Sequence, residues 1–317
     1  MDMKEKVKKI SLEKYGPLFA LIVLFVISSI ASPYFLKIRN LTNILRQISY
    51  TGIIALGMTF VITSGGIDLS VGSMTAFVGG LSIITLNYFG GGYLALIFTI
   101  IFGIIYGFLA GAFNGLVITK GKVAPFIVTL GTMAIYRSVI LYIADAGELT
   151  TESTVFSKIG MGYFLGIPIP VWVFVELAFV FHIILNHTPY GRYLSAVGSN
   201  ERVAKYAAIR VKLIRFWAYA LTGIGVAISS ILLAARLNSV SSANMGLRFE
   251  LDAIAAVIIG GTAMSGGKGT IIGTVIGAII LGIVNNMLNM LGVSPYLQGT
   301  VKGLVIIGAV LIQRKSD

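Results

Sequence analysis

The chain reads as long apolar runs separated by short polar clusters. Ten runs approach or reach the length needed to cross a bilayer: 16–35, 43–63, 70–89, 93–118, 124–144, 168–186, 213–236, 250–262, 271–290 and 299–313. A hydrocarbon core takes about 20 apolar residues per helix, so each run predicts a spanning helix, the eighth a short one. The longest polar stretches are 145–167 and 187–212, too short for a soluble domain. The expected fold is an all-α polytopic membrane protein of about ten transmembrane helices. A tail at 1–15 precedes a single transmembrane domain at 16–317.

Two apolar runs are interrupted by glycine-rich polar breaks. The first is Gly65-Gly66-Ile67-Asp68-Leu69-Ser70-Val71-Gly72-Ser73, and the second runs from Gly260-Gly261-Thr262 to Gly266-Gly267-Lys268-Gly269-Thr270. Irregular backbone at membrane depth must be buried in protein or line a wet cavity, because lipid offers its N–H and C=O groups no partners. Paired glycine-interrupted segments point to a translocation route. The plain alternative is a tight turn between two helices, and the sequence leaves both readings open. On the first reading, Gly65, Gly66, Asp68, Ser70, Gly72, Asn114, Gly260, Gly261 and Thr262 are candidate pathway residues. Asp68 is the strongest of them, because an isolated charge at this depth is costly. Its plainer role is to accept hydrogen bonds from the broken backbone.

Composition supports a membrane protein: 56% of residues are hydrophobic and 11% charged. Soluble domains carry about 25% charged residues. The net charge of +12 raises nucleic acid as a partner, but the basic residues sit between apolar runs. With the N-terminus inside, loops on the inner side hold 16 of the 24 Lys and Arg residues, and loops on the outer side six. The excess places both termini in the cytoplasm. The outer six include Lys37, Arg39, Arg46 and Arg248. Lysines at 4, 6, 8, 9 and 14 before an apolar run also fit a signal peptide, with Ser29-Ile30-Ala31 as a cleavage site. The many later spans favour an uncleaved first helix. The chain has no cysteine and only His182 and His187, which excludes disulfides and a His or Cys metal cluster. The second break brushes against a phosphate-binding loop, but Gly269 follows Lys268 where Ser or Thr is required. No catalytic set appears, so this chain is read as neither an ATPase nor another enzyme.

The loop 187–212 carries Gly198-Ser199-Asn200-Glu201 and then Ala204, Ala207, Ala208 and Ile209. Asn200 suits an N-cap and Glu201 the positive end of a short helix. Val203, Ala204, Ala207 and Ala208 predict one small apolar face. Surface anchors bury Trp, Phe or Leu, so an alanine face favours docking against protein over lying in the bilayer surface. These residues are similar to the cytoplasmic loop of membrane subunits of bacterial ABC sugar importers, the ribose/xylose/galactose permease family. The first break from Gly57 to Ser73 also resembles that family. So do Glu250-Leu251-Asp252-Ala253 with Gly260-Gly261-Thr262, the Gly266–Gly269 string, and Asn285-Asn286 with Leu291-Gly292-Val293. The resemblance runs from about Asn40 to the C-terminus. Glu176 and His182 depart from the family pattern.

The resemblance implies a permease subunit in the bacterial cytoplasmic (inner) membrane, translocating a sugar, with ribose or another pentose first. It implies a second permease copy or paralogue, cytoplasmic ABC ATPase subunits and an extracytoplasmic sugar-binding protein. ATP and Mg would be used by the ATPase subunits, with no cofactor on this chain. Gly198, Asn200, Glu201, Ala204, Ala207, Ala208 and Ile209 would couple it to them. The competing class is an ion-coupled secondary transporter of a small polar solute, with Asp68 and Glu176 as its carboxylates.

Overall fold

The computed structural model describes residues 3–294 and 297–304. Helices α1 (Met3–Ala31), α2 (Ile38–Thr63), α3 (Val71–Tyr88), α4 (Tyr93–Gly121) and α5 (Pro125–Ile143) lead into β1 (Glu148–Thr150) and α6 (Thr154–Met161). A two-residue hairpin, β2 (Tyr163–Phe164) and β3 (Ile167–Pro168), precedes α7 (Ile169–His187). Then come α8 (Pro189–Ser199), α9 (Glu201–Tyr206), α10 (Val211–Leu237), β4 (Ser239–Ser241), α11 (Phe249–Ile259) and α12 (Ile271–Met290). Residues 297–304 are helical.

Seven of these helices, α2, α3, α4, α5, α7, α10 and α12, are long and apolar enough to cross a membrane among the described residues. The last predicted span, 299–313, lies outside the described residues beyond 304. The eighth is corrected. Residues 250–262 do not span: α11 has 11 residues, about 16 Å of helix, and stops at Gly260. The stretch 145–167 is built rather than loose. Its β1 pairs antiparallel with β4, and α6 is capped by Ser153, whose Oγ accepts from Phe156 N at 3.1 Å. Arg39 and Arg46 lie on α2 itself, and Arg46 is buried, donating to Met161 O at 3.2 Å.

Helix α2 is the axis of the bundle, buried along 83% of its apolar span, whereas α7 is buried along 22%. Around α2 stand α10, α12, α11 and α7, with α3 and α4 beyond α10. Bilayer-facing helices gain nothing from burying leucine against leucine, so close approach of small residues supplies the packing. Helix α4 presents Gly103, Gly107, Gly111 and Gly115 at four-residue spacing. Each faces α10: a Cβ on Gly107 would strike Gly223 O, and one on Gly111 would strike Tyr219 O and reach Gly223 Cα at 3.0 Å. Polar zippers add to this. Asn40 and Asn286 exchange amide hydrogen bonds at 3.1 and 2.8 Å, joining α2 to α12. Thr59 and Thr274 hydroxyls meet at 2.8 Å deeper in the same pair.

Gly111→Ile should therefore force α4 and α10 apart, at a cost of about 1–3 kcal/mol or more for an overfilled contact. Gly131 on α5 has no atom within 4 Å of a built Cβ. The expected outcome is a lowered melting temperature and loss of monodisperse protein in detergent for Gly111→Ile, with Gly131→Ala unchanged. Equal melting curves for the two variants would contradict the packing.

Candidate functional site

The two glycine breaks and the 198 loop, far apart in sequence, meet at one end of the bundle. Helix α2 ends where Gly65, at φ +81°, turns the chain, with Gly65 N on Ile62 O at 2.9 Å and Gly66 N on Val61 O at 3.0 Å. Helix α11 ends the same way at Gly261, φ +89°. Glycine adopts this left-handed region without steric cost, which is why it closes both helices. The second break then reaches across to the first: Gly267 N donates to Thr63 O at 2.9 Å. Gly198, at the end of α8, is wedged between them. A Cβ there would strike Thr63 O and lie 2.5 Å from Gly267 N. A Cβ on Gly266 would lie 3.0 Å from Gly198 O and 3.1 Å from Gly65 Cα. Three segments thus touch backbone to backbone.

Between α2 and α3 the chain is extended, and a buried polar group ties it down. Asp68 is 0% exposed. Its Oδ1 accepts from Ser70 N at 2.9 Å and Ser70 Oγ at 2.6 Å, and Asn114 Nδ2 reaches Oδ2 at 3.4 Å. Asn114 also donates to Ser70 Oγ at 2.9 Å, linking α4 to the start of α3. The carbonyl of Ile67 accepts from Thr129 Oγ1 at 3.4 Å and from the Tyr219 hydroxyl at 3.5 Å. Ser70 opens α3 without a side-chain cap of its own, its hydroxyl being engaged by Asp68. Gly72 packs where a Cβ would strike the Glu250 carboxylate and Gly246 O. Of the nine candidate pathway residues, Asp68, Ser70, Gly66, Gly72, Asn114, Gly260 and Thr262 are buried, and Gly65 and Gly261 exposed.

The 198–211 segment forms a short capped helix. Asn200 Oδ1 accepts from Arg202 N at 3.0 Å and Val203 N at 3.2 Å. Glu201 pairs with Lys205 at 2.5 Å and with Arg215, near the start of α10, at 2.7 Å. The Lys205 hydrogen bond, with Arg215 adding to it, holds the Glu201 carboxyl below the usual range. The single apolar face expected from the sequence is divided. Helix α9 ends at Tyr206, and Ala208 takes φ +59°, turning the chain. Ala204 is 2% exposed and packs inward, while Val203, Tyr206, Ala207 and Ala208 are exposed. Ile209 is half-buried.

Sequence reasoning missed the role of Arg137 and the setting of Arg248. Arg137 on α5 donates to Ser242 O at 2.6 Å and Met245 O at 2.9 Å. Lys302 holds both oxygens of Asp252 at 2.9 Å. Two basic residues inside apolar runs were the available signal, but a sequence does not say which backbone folds beneath them.

Deleting the acceptor at position 68 takes from Ser70 N and the Ser70 hydroxyl the oxygen they both donate to, at a buried position. Each unsatisfied buried polar group costs about 1–3 kcal/mol. Asp68→Leu should therefore lower the melting temperature of the detergent-solubilised protein markedly. Asp68→Asn keeps one acceptor oxygen for Ser70 and should melt close to wild type. Indistinguishable melting of the leucine variant would show that the carboxylate does not tie the break.

Comparison with known proteins fits this architecture. The family model described as branched-chain amino acid transport system / permease component matches residues 40–310. The ribose import permease protein RbsC of Bacillus subtilis (strain 168) is 44% identical, covering 96% of this chain and 94% of the relative. RbsC of Escherichia coli (strain K12) is 41% identical, over 95% and 93%. The L-arabinose transport system permease protein AraH of Escherichia coli (strain K12) is 34% identical, over 95% and 90%. A solved inward-facing structure described as a metal-chelate type ABC transporter shares the fold, with a TM-score of 0.52, 16% identity, and coverage of 96% and 99%. The family match and these relatives place the chain in the branched-chain amino acid transport system / permease component family, among its ABC sugar permeases.

Proposed function

We propose that this chain is the membrane-spanning permease subunit of an ATP-driven importer for ribose. The carrying observation is identity of 41–44% with ribose import permeases over nearly the whole chain. The arabinose relative stands lower, at 34%. The chain itself is non-catalytic. It works as a pair with a second copy or a paralogue, with two ABC ATPase subunits that bind ATP and Mg, and with an extracytoplasmic sugar-binding protein. It lies in the bacterial inner membrane with both termini cytoplasmic. Its spans include α1 and the helix that starts at 297, with α11 crossing part of the bilayer as the broken tenth.

The coupling route follows from the contacts at the α8–α9 end. The exposed Val203, Tyr206, Ala207 and Ala208 form the surface on which an ATPase subunit docks. Glu201–Arg215 fastens the docked helix to α10. Gly198 presses on the last turn of α2 and on the loop entering α12. Movement of α9 is thereby delivered to the helices at the bundle's centre, through backbone contacts that have no rotamers to absorb it. Packed contacts of this kind switch between arrangements rather than deform. The glycine breaks and Asp68 are the fixed ends of that linkage and border the route the sugar takes.

The test is labelled ribose uptake into vesicles that hold the permease, the ATPase subunit and the binding protein. Uptake should require added ATP, and a proton or sodium gradient should not replace it. Gradient-driven uptake without the ATPase would support an ion-coupled carrier instead. In the same vesicles, Ala207→Glu should cut uptake and release the ATPase subunit. Overfilling a close contact by about 1–3 kcal/mol weakens an interface by roughly one to two orders of magnitude. Gly198→Ala should retain the ATPase subunit yet uncouple hydrolysis from uptake. Wild-type uptake and retention in both variants would remove the coupling assignment.

Topology has a direct test in a cysteine-free chain. A cysteine at exposed Lys205 should resist a membrane-impermeant thiol reagent added to intact cells, and one at exposed Glu152 should react. Reversed labelling would invert the orientation.

A further inference from the structure

Residues 242–248 are non-helical backbone at membrane depth. Their depth is read from α3, which runs beside them. Met245 and Val240 pack against Gly79, and Gly246, at φ +72°, packs on Gly72 O. Gly72 lies about 24 Å along the helix from the Tyr88 end of α3, at 1.5 Å per residue. Arg248 therefore does not sit in a surface loop, as its place between apolar runs suggested. The chain leaves the β1–β4 pair beside Gly79, runs as turns along about 10 Å of α3 to Gly72, and only then begins α11.

One side of this descent is sealed by protein. Ser242, Met245 and Gly246 are buried, and two of their carbonyls are held by Arg137. The other side is open: Ala243, Asn244 and Arg248 are exposed, and Leu247 is 58% exposed. Hydrocarbon cannot receive a guanidinium, a primary amide and irregular backbone together. Beside the opening stand half-buried Glu250 and the Asp252–Lys302 pair, and Gly299 lies close against the Arg248 guanidinium. Arg137, Arg248 and Lys302 face Glu250 and Asp252, so the charges nearly balance. A ring of one sign would suit an ion. A mixed set, with donors on Arg248 and both a donor and an acceptor on the Asn244 amide, suits a neutral solute bearing many hydroxyl groups.

We infer that the exposed face of 243–248 lines the water-filled route through the permease, and that Asn244 and Arg248 bind the hydroxyl groups of a neutral polyhydroxylated solute there. This rests on the permease reading above. It places solute contact on the open side of the descent, while the two glycine breaks carry the mechanical linkage.

The experiment uses the full transporter, with ATPase subunit and binding protein, in proteoliposomes. Single cysteines replace Asn244, Leu247 and, as a bilayer-facing control, Leu109 on α4, which is 57% exposed. Methanethiosulfonate ethylammonium, a small charged thiol reagent, is supplied on both sides. Asn244→Cys and Leu247→Cys should react at least about tenfold faster than Leu109→Cys, because thiolates form in water and not in lipid. Reaction no faster than the control would overturn the route. Arg248→Met should lower ribose uptake about tenfold, the scale of one lost charge-assisted hydrogen bond, with the complex still assembled. Wild-type uptake in that variant would overturn the hydroxyl-binding role. The labelling does not depend on the sugar. Fast labelling of the cysteine variants, when the cysteine-free parent transporter imports no ribose, would leave the route standing and remove the substrate assignment. Inert cysteines in a complex that imports ribose would remove the route alone.

Discussion

Lipid offers no hydrogen-bond partner, so every non-helical peptide group at membrane depth must be satisfied from within the protein or by a channel of water. Three places among the described residues break helix between apolar segments, and each is resolved differently. After α2, a buried carboxylate holds the extended backbone through Ser70, and Asn114 braces the pair from α4. After α11, the loop borrows an acceptor from the first break, with Gly267 N on Thr63 O. Between β4 and α11, Arg137 reaches from α5 to hold two carbonyls. The first two are closed against protein on their inner sides. The third is closed on one side only. That asymmetry separates the two junctions packed within the bundle from the one segment proposed above to meet solute.

The same constraint explains what the sequence made legible. Spans such as 93–118 and 271–290 are long apolar runs with nothing to interrupt the backbone ladder, and the structure places α4 and α12 over them. The cap at Asn200 was legible because it is local: its acceptor and its donors lie within three residues. The half-length α11 was not. Apolar residues at 250–262 look the same whether the helix begins at the surface or partway down, and its starting depth is set by Gly246 lying on Gly72. Arg248 was misplaced for that reason. The alanine face of 203–208 was misread because helical periodicity was carried past Tyr206, where Ala208 enters the left-handed region.

Glycine serves two separate purposes that composition alone merges. Along α4, Gly107 and Gly111 are helical and matter because a side chain would hold α10 away. At Gly65, Gly261 and Gly267 the backbone itself is left-handed. Gly198 combines neither cleanly, being neither left-handed nor part of a helix-to-helix stripe, yet it has the tightest backbone surroundings of the junction. Its lack of a Cβ lets the end of α8 touch α2 and the second break at once.

A junction made of backbone has a mechanical consequence. Side chains in contact accommodate a small displacement by changing rotamer, whereas three backbones in contact either move together or separate. If α9 is pushed by a docked subunit, α2 and the start of α12 must follow or the Gly267–Thr63 hydrogen bond must break. Those two helices are joined again higher up by Thr59–Thr274 and by the reciprocal Asn40–Asn286 amides. They therefore respond as one body, and α11 is packed against both. The segment 242–248 sits at the far end of α11 from the junction. A tilt imposed at Gly260 would be carried along a rigid helix of about 16 Å to Arg248, so on the proposed coupling a force applied at the α8–α9 end would reach the segment proposed to line the route.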